Sequence, residues 1–367
     1  IPAALTHLKA LMSLSIQDTQ ILQWDVDMMK HIGSTLMYLT LDNVSLTSWP
    51  DWIQYCPHLQ TLEMTSSFKS IPDNAFDKQT NTLTSLQLLN GNLTETLLTF
   101  SKLSALTSLV LDYNNISKIS KLPNFGILSS ISIQYNRLSD ATHLSDVLRS
   151  VSNSLTYLQA EGNQLNSFPD LSFITKLQSV FLSHNLISDT SSGSISPAVT
   201  YLEAENNNIR SLAGFLSGAI NLKYLRLMGN SVTSLSGDNI PSNVSEFDIS
   251  RNLITELTDT SFPVNTVMDS LWLDYNPISK ISTAAFSCLT NLDSLSLKGT
   301  RLTRLPLALR SLTGLYTLEM SDSSYLVCTC LEKPLRSWYL SRPLACFGDC
   351  GPLPIDYFLG VLSEGCP

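Results

Sequence analysis

One pattern recurs along this chain and leaves little freedom in how it folds. Residues 106–119 read L-T-S-L-V-L-D-Y-N-N-I-S-K-I, a skeleton LxxLxLxxNxIxxI. Leu109 and Leu111 point one way and Val110 the other, as in a short strand. Asn114 stands where the chain must leave the strand, and Ile116 and Ile119 turn back inward. A single copy has no means of covering its own apolar side. The sequence supplies fourteen copies in phase, starting at Leu11, Leu36, Leu59, Leu83, Leu106, Leu128, Leu155, Leu177, Val199, Leu222, Val244, Met268, Leu292 and Leu315. The mean step is about 23 residues. One such motif arises by chance; fourteen in register do not.

Stacked copies bury a continuous core in one dimension, so a chain of 367 residues need not divide into several globular domains. The skeleton resembles the leucine-rich repeat. The resemblance implies an α/β solenoid of about fourteen repeats, a curved arc with a parallel sheet on its concave face, roughly 65 Å along the sheet at the usual strand spacing. The array is expected over residues 1–326, with 1–10 the tail of a truncated repeat or cap, and a separate C-terminal cap over 327–367. In the return segments Phe76, Phe262 and Phe286 each follow an inward aliphatic (Ile71, Leu257, Ile281) by five residues. This resembles the phenylalanine spine of extracellular repeats, and short helical turns or extended pieces are expected there. The LxGxIP signature of plant-type repeats is missing, so no second sheet is expected on the flank.

From the fifth to the twelfth repeat the ninth position is Asn114, Asn136, Asn163, Asn185, Asn207, Asn230, Asn252 and Asn276. A strand that turns into a loop leaves buried backbone groups without ladder partners, and an inward amide can donate and accept across neighbouring turns. The first four repeats carry Thr19, Val44, Ser67 and Gly91 instead, and the last two Thr300 and Ser323. The third repeat is also a residue short around Ser67 and Phe68. The middle of the array should therefore be its most regular part.

Five of seven cysteines, Cys328, Cys330, Cys346, Cys350 and Cys366, follow the last repeat. Clustered there they read as a disulfide-stapled cap, and hence an oxidising compartment. The rival zinc reading lacks a C-x2-C knuckle and any histidine beyond His184. Cys328-Thr-Cys330 followed by Trp338 resembles the opening of the cysteine-rich C-terminal cap of extracellular repeat proteins, with a helix over about 332–340 and Leu335 and Trp338 closing the core. That cap has four cysteines, so this one departs by one, and spacing leaves the connectivity open. Cys56 and Cys288, among apolar residues, are expected to be buried thiols. Asn43, Asn92, Asn115 and Asn243 lie in N-x-S/T sequons and are candidate glycosylation sites.

The net charge of −9 argues against nucleic acid as a partner, and no apolar run is long enough for a membrane span. The five histidines scatter over different repeats, and no nucleophile-elbow, P-loop or zincin motif occurs. No catalysis, cofactor or metal is expected.

Function should lie in the residues that point out of the sheet, at the third, fifth, seventh and eighth positions of each repeat. These 56 sites hold Tyr38, Tyr113, Tyr135, Tyr157, Phe181, Tyr201, Tyr224, Trp272 and Tyr275. They carry twelve acids against three bases, Arg226, Arg251 and Lys298. Aromatics also suit strands and stack in columns. Rigid rings gathered on one face are equally what protein recognition uses. The expected ligand site is Tyr157, Phe181, Tyr201, Glu203, Glu205, Tyr224 and Arg226, with Trp272 and Tyr275 beyond. Its excess of carboxylates would steer a basic protein or peptide toward it. The chain resembles the ectodomains of leucine-rich-repeat receptors, including receptor-like kinases of the non-plant kind. This implies a cell-surface ligand-binding region attached to a membrane only through a downstream span, with a co-receptor or a second copy as a further partner. The alternative is a secreted inhibitor or scaffold using the same face.

Overall fold

The computed structural model describes residues 5–366 apart from 6, 22, 66–68 and 97. Residues 1–4 of the N-terminal half-repeat, and Ser67 and Phe68 of the shortened third repeat, lie outside the described residues. The chain forms two compact units, Ile1–Asn185 and Leu186–Pro367, and each is described by itself.

In the first unit eight strands lie parallel in sequence order: Ser13–Gln17, Tyr38–Asp42, Thr61–Thr65, Ser85–Leu89, Ser108–Val110, Ser130–Ser132, Tyr157–Gln159 and Ser179–Phe181. Every strand begins two residues after its repeat's first aliphatic. The inward residues, from Leu39 and Leu41 to Val180 and Leu182, are fully or almost fully buried, which stabilises by about 1.5–3 kcal/mol per large side chain. Leu14 and Ile16 of the first strand remain half-exposed.

The second unit repeats the plan with Tyr201–Glu203, Tyr224–Arg226, Glu246–Asp248, Ser270–Trp272, Ser294–Ser296 and Thr317–Glu319, and adds a further parallel strand, Ala345–Phe347. That last strand comes from the cap. There Leu-Ala-Cys-Phe resumes the alternation, and Cys346 stands opposite Leu318.

Step length explains where the return segments become helical. The two longest steps, 25 residues from Leu11 to Leu36 and 27 from Leu128 to Leu155, contain the α-helices Val26–Gly33 and Ala141–Leu148. Asp25 and Asp140 cap their N-termini by accepting backbone N–H bonds. Shorter steps leave room only for 3-10 turns such as Asp51–Tyr55 and Leu307–Ser311. Behind them the rings of Phe76 and Phe100 lie 6.1 Å apart, and those of Phe262 and Phe286 6.2 Å.

The flank corrects one expectation. Glu95–Thr96 pairs with Lys118–Ile119, and Glu256–Leu257 with Lys280–Ile281, each as a small parallel ribbon. Where successive returns leave the sheet extended and at the same height, their backbones satisfy each other without an LxGxIP sequence.

The cap is closed by Cys328–Cys350 and Cys330–Cys366. Cys346 was expected among the bridged cysteines and is free, because its strand registers against the sheet instead of facing another sulfur. Cys56 is buried as expected, whereas Cys288 is only half-buried. The chain turns from Cys330–Leu335 into the helix Arg336–Leu340. Leu335 and Trp338 are buried, and Trp338 Nε1 donates to Leu312 O at 3.0 Å. Glu332, 1% exposed, meets Arg304 at 2.6 Å and accepts the Thr329 N–H, which fastens the cap to the thirteenth repeat's return.

Candidate functional site

The open face of each sheet is held by a line of amides beneath it. Asn252 Nδ2 donates to Leu227 O, Ile249 O and Ser250 O at 3.0–3.1 Å, while its Oδ1 accepts the Val232 N–H at 2.9 Å. In the first unit Asn136 does the same with Leu111 O, Ile133 O, Gln134 O and the Ile116 N–H. All eight column asparagines are buried. Each closes three or four backbone groups that would otherwise be orphaned at a cost of about 1–3 kcal/mol apiece.

Directly before this slot, the eighth residue of every described repeat is left-handed. Tyr113, Tyr135, His184, Arg251 and Tyr275 have φ of 57°, 50°, 56°, 53° and 52°. Such a conformation costs a bulky L-residue roughly 1–2 kcal/mol. It also turns these side chains along the rim of the sheet toward the next repeat. Tyr113 stacks on Tyr135 with centroids 4.6 Å apart and planes 8° from parallel. Tyr135 lies across Gly162, where an added Cβ would come within 2.5 Å of the ring, and Tyr275 lies likewise across Gly299. Tyr113, 52% exposed, is the most exposed ring of the described open faces.

In the first unit, Tyr157 and Phe181 of the expected site are brought together, 5.1 Å between centroids. In the second unit Tyr201 and Tyr224 are neighbours at 6.0 Å. The charged members gather around Arg226. Its guanidinium pairs with Glu246 at 2.5 Å and lies over the Trp272 ring at 4.9 Å, and its backbone registers between Glu203 and Asp248. Tyr201 Oη donates to Glu203 at 3.1 Å. Burial, then the carboxylates of Glu203 and Asp248, push Glu205 up to about 7, with Arg226 opposing. Burial and the neighbouring Glu203 also raise Tyr201. Tyr275 belongs to the rim: its hydroxyl donates to Asp322 at 2.8 Å, Lys298 pairs with Asp322 at 3.5 Å, and Arg251 lies over its ring at 4.8 Å.

Two acids of the face are braces between repeats. Asp112 accepts from Ser132 Oγ at 2.7 Å and from the Gln134 N–H at 2.8 Å. Asp274 accepts from Ser296 Oγ and from the Lys298 N–H. Burial raises both carboxyls despite these bonds. Both stand in the tetrapeptide Leu-Asp-Tyr-Asn, the sequence signal that would have singled them out. A second unread signal is the eighth column itself, where Asp18, Asn43, Asn90, Asn206, Gly229 and Gly299 are residues that tolerate φ > 0.

Among the sequons, Asn43 Nδ2 donates to Asp18 at 2.9 Å, Asn115 Nδ2 to Asn92 Oδ1 at 3.3 Å, and Asn243 Nδ2 to Ile220 O. A cavity of about 250 Å³, lined by Leu212, Ile220, Asp238 and Asn243 among others, lies on the return side and includes none of the outward rings. Among the described residues, no group of three or more His, Cys, Asp and Glu is placed to hold a metal, and no helix is long and apolar enough to cross a membrane.

A sequence profile described as "Leucine rich repeat" matches residues 242–302. No curated protein matches the chain. Among solved structures it is similar to a leucine-rich repeat protein of Leptospira interrogans (TM-score 0.76, 21% identity, 95% of this chain and 86% of that one). It is similar to a chain of the TLR13–ssRNA13 complex (TM-score 0.67, 17% identity, 94% and 62%). It is also similar to the plant peptide hormone receptor RGFR1 in complex with RGF2 (TM-score 0.58, 20% identity, 88% and 57%). The chain thus spans under two thirds of the length of the latter two. At these identities the likeness carries the fold, and repeat, sheet and likeness agree on it: the fold is a leucine-rich repeat solenoid.

Proposed function

We propose that this chain is a recognition module that binds a protein or peptide on the open face of its sheet, and that the charged, aromatic face of residues 201–322 is the principal site. One observation carries this reading. Across six strands that face presents Tyr201, Tyr224, Trp272 and Tyr275 beside seven acids (Glu203, Glu205, Glu246, Asp248, Asp274, Glu319, Asp322) and three bases. Rings supply buried area at low entropic cost, and the surplus of carboxylates favours a basic partner and repels the phosphates of a nucleic acid. The similar fold of a plant receptor solved with its peptide supports recognition as the role. Two disulfides in the cap support an oxidising, extracellular setting. Within it the chain serves as the ligand-binding region of a membrane receptor.

The test is a titration with synthetic peptides of equal length and graded charge, and with single-stranded RNA, at low and high salt. Basic peptides should bind, weaken as salt rises, and lose about 2 kcal/mol or more on Tyr224→Ala if that ring is a hot spot. Preferential binding of acidic peptides or RNA overturns the reading. The coding sequence downstream of Pro367 then separates a receptor, with a membrane span and signalling domain, from a secreted inhibitor or scaffold.

A further inference from the structure

The bases on the open face of the second unit are not equivalent. Arg226 is paired with Glu246, and Lys298 with Asp322. Arg251 has no carboxylate partner among the described residues, although it stands on the most acidic part of the molecule. The reason lies one repeat on. Asp274, the acid of the adjacent turn, gives its carboxylate to Ser296 and to the Lys298 N–H. What Arg251 receives from that turn is a backbone bond, its N–H donating to Asp274 O at 2.7 Å.

The Arg251 guanidinium is nonetheless held in place. Its backbone is left-handed at φ 53°, which aims the side chain along the rim, and the guanidinium lies 4.8 Å over the Tyr275 ring. That ring is fixed in turn by its hydroxyl bond to Asp322 and by its seat on Gly299. A planar, exposed fork of donors, backed by an aromatic ring and kept in a strained backbone conformation, is preorganised for a planar anion.

We infer that Arg251 is the docking point for a carboxylate of the ligand, so that the partner is bipartite: a basic segment over Glu203, Glu205 and Asp248, and a single carboxylate caught on the Arg251–Tyr275 pair. This rests on the recognition role proposed above and adds polarity to it, since an asymmetric ligand can lie on the face in one direction only. The carboxylate can come from an Asp or Glu side chain or from a chain terminus.

The experiment is selection of a displayed random-peptide library on the protein, followed by binding of the selected peptides, each synthesised with free and with amidated C-terminus, to wild type, Arg251→Gln, Arg251→Lys and Arg251→Glu. Arg251 is exposed, and unchanged melting temperatures confirm that the variants fold. The expected result is a carboxylate at one fixed place in the selected peptides and a loss of about tenfold or more on Arg251→Gln, as for a hydrogen bond to a charged group. Arg251→Lys should show a smaller loss, because the fork is gone and the charge is kept. Arg251→Glu should select Lys or Arg at that place. Sensitivity to amidation identifies a terminal carboxylate, and insensitivity a side chain. Peptides that bind wild type and Arg251→Gln equally overturn the inference alone. A library from which wild type enriches nothing overturns the recognition role and this inference together.

Discussion

The first four repeats and the eight that follow solve the same turn differently. In the first four the ninth position is Thr19, Val44, Ser67 or Gly91, and the strands run for five residues, as in Tyr38–Asp42 and Ser85–Leu89. From the fifth repeat onward the strands run for three, with asparagine at the ninth position as far as the twelfth repeat and Thr300 and Ser323 there in the last two. The amide takes over carbonyls that the ladder would otherwise use: Asn136 Nδ2 claims Leu111 O and Ile133 O. The eighth position follows the ninth. Where asparagine is missing, the described left-handed residue is Asp18, Asn43, Asn90, Gly299 or Asp322, all types that accept φ > 0 readily. Tyrosine, histidine and arginine occupy it only directly before Asn114, Asn136, Asn185, Asn252 and Asn276. The asparagine braces the turn firmly enough for an awkward residue to stand beside it, and two such residues, Arg251 and Tyr275, lie on the proposed ligand face.

The largest effect should come from removing a brace. Asn252→Leu leaves Leu227 O, Ile249 O and the Val232 N–H buried without their partner, and should destabilise the second unit by about 3 kcal/mol. Replacing Arg251 by glycine should gain about 1 kcal/mol more in that background than in wild type, where the asparagine holds the strained turn, a coupling that a double-mutant cycle reads from unfolding midpoints. A tolerated Asn252→Leu, or strict additivity, would break the link between the two positions.

Next in size is Gly299→Ala. The added Cβ meets the Tyr275 ring in a left-handed residue at φ 65°, followed by Thr300 rather than asparagine. A loss of about 2 kcal/mol is expected, the sum of backbone strain and overpacking. Tyr275→Ala in the same chain should relieve the steric part and leave the strain. Thermal unfolding of the single and double variants separates the two.

A smaller effect tests the comparison from the other side. Val44 is fully buried, and the strand before it keeps its strand pairing as far as Asp42, which registers against Gln17, whereas pairing in the fifth and sixth repeats stops at Val110 and Ser132. Val44→Asn would bring an amide to carbonyls already in use, and should cost about 1 kcal/mol rather than stabilise. A rise in melting temperature would mean that those carbonyls were waiting for a donor.

Much of this architecture was legible before any coordinates. Alternation of apolar residues requires strands, a fixed step requires stacking, and an inward polar residue at the end of each strand has to satisfy backbone. The fourteen motif starts accordingly locate fourteen strands, whereas the helices Val26–Gly33 and Ala141–Leu148 went unread although their steps of 25 and 27 residues are the longest. What escaped depends on contacts between residues far apart in sequence. The flank ribbons need two returns at equal height. The fifteenth strand has a single repeat of alternation to announce it, and its register is what leaves Cys346 free. The candidate site was half legible. Rings and carboxylates could be assigned to a face, but Asp112 and Asp274 look like any other outward acid until their serine partners are in place, and nothing local marks Arg251 as the base without a carboxylate.

The last prediction concerns charge on the later repeats. Glu205 titrates near 7 in the folded protein because burial, Glu203 and Asp248 together outweigh Arg226, while in the unfolded chain it ionises near 4.5. Between those values the folded state holds a proton that the unfolded state has released, so stability falls as pH rises from about 5 to about 7 and levels off above. Glu205→Gln carries no titrating group at that place. It should flatten this part of the profile, with the variant gaining on wild type as pH increases and matching it most closely in acid. Melting temperatures across that range decide it. If the two profiles stay parallel, Glu205 is held as a carboxylate throughout, and the electrostatic crowding around Arg226 is weaker than the geometry implies.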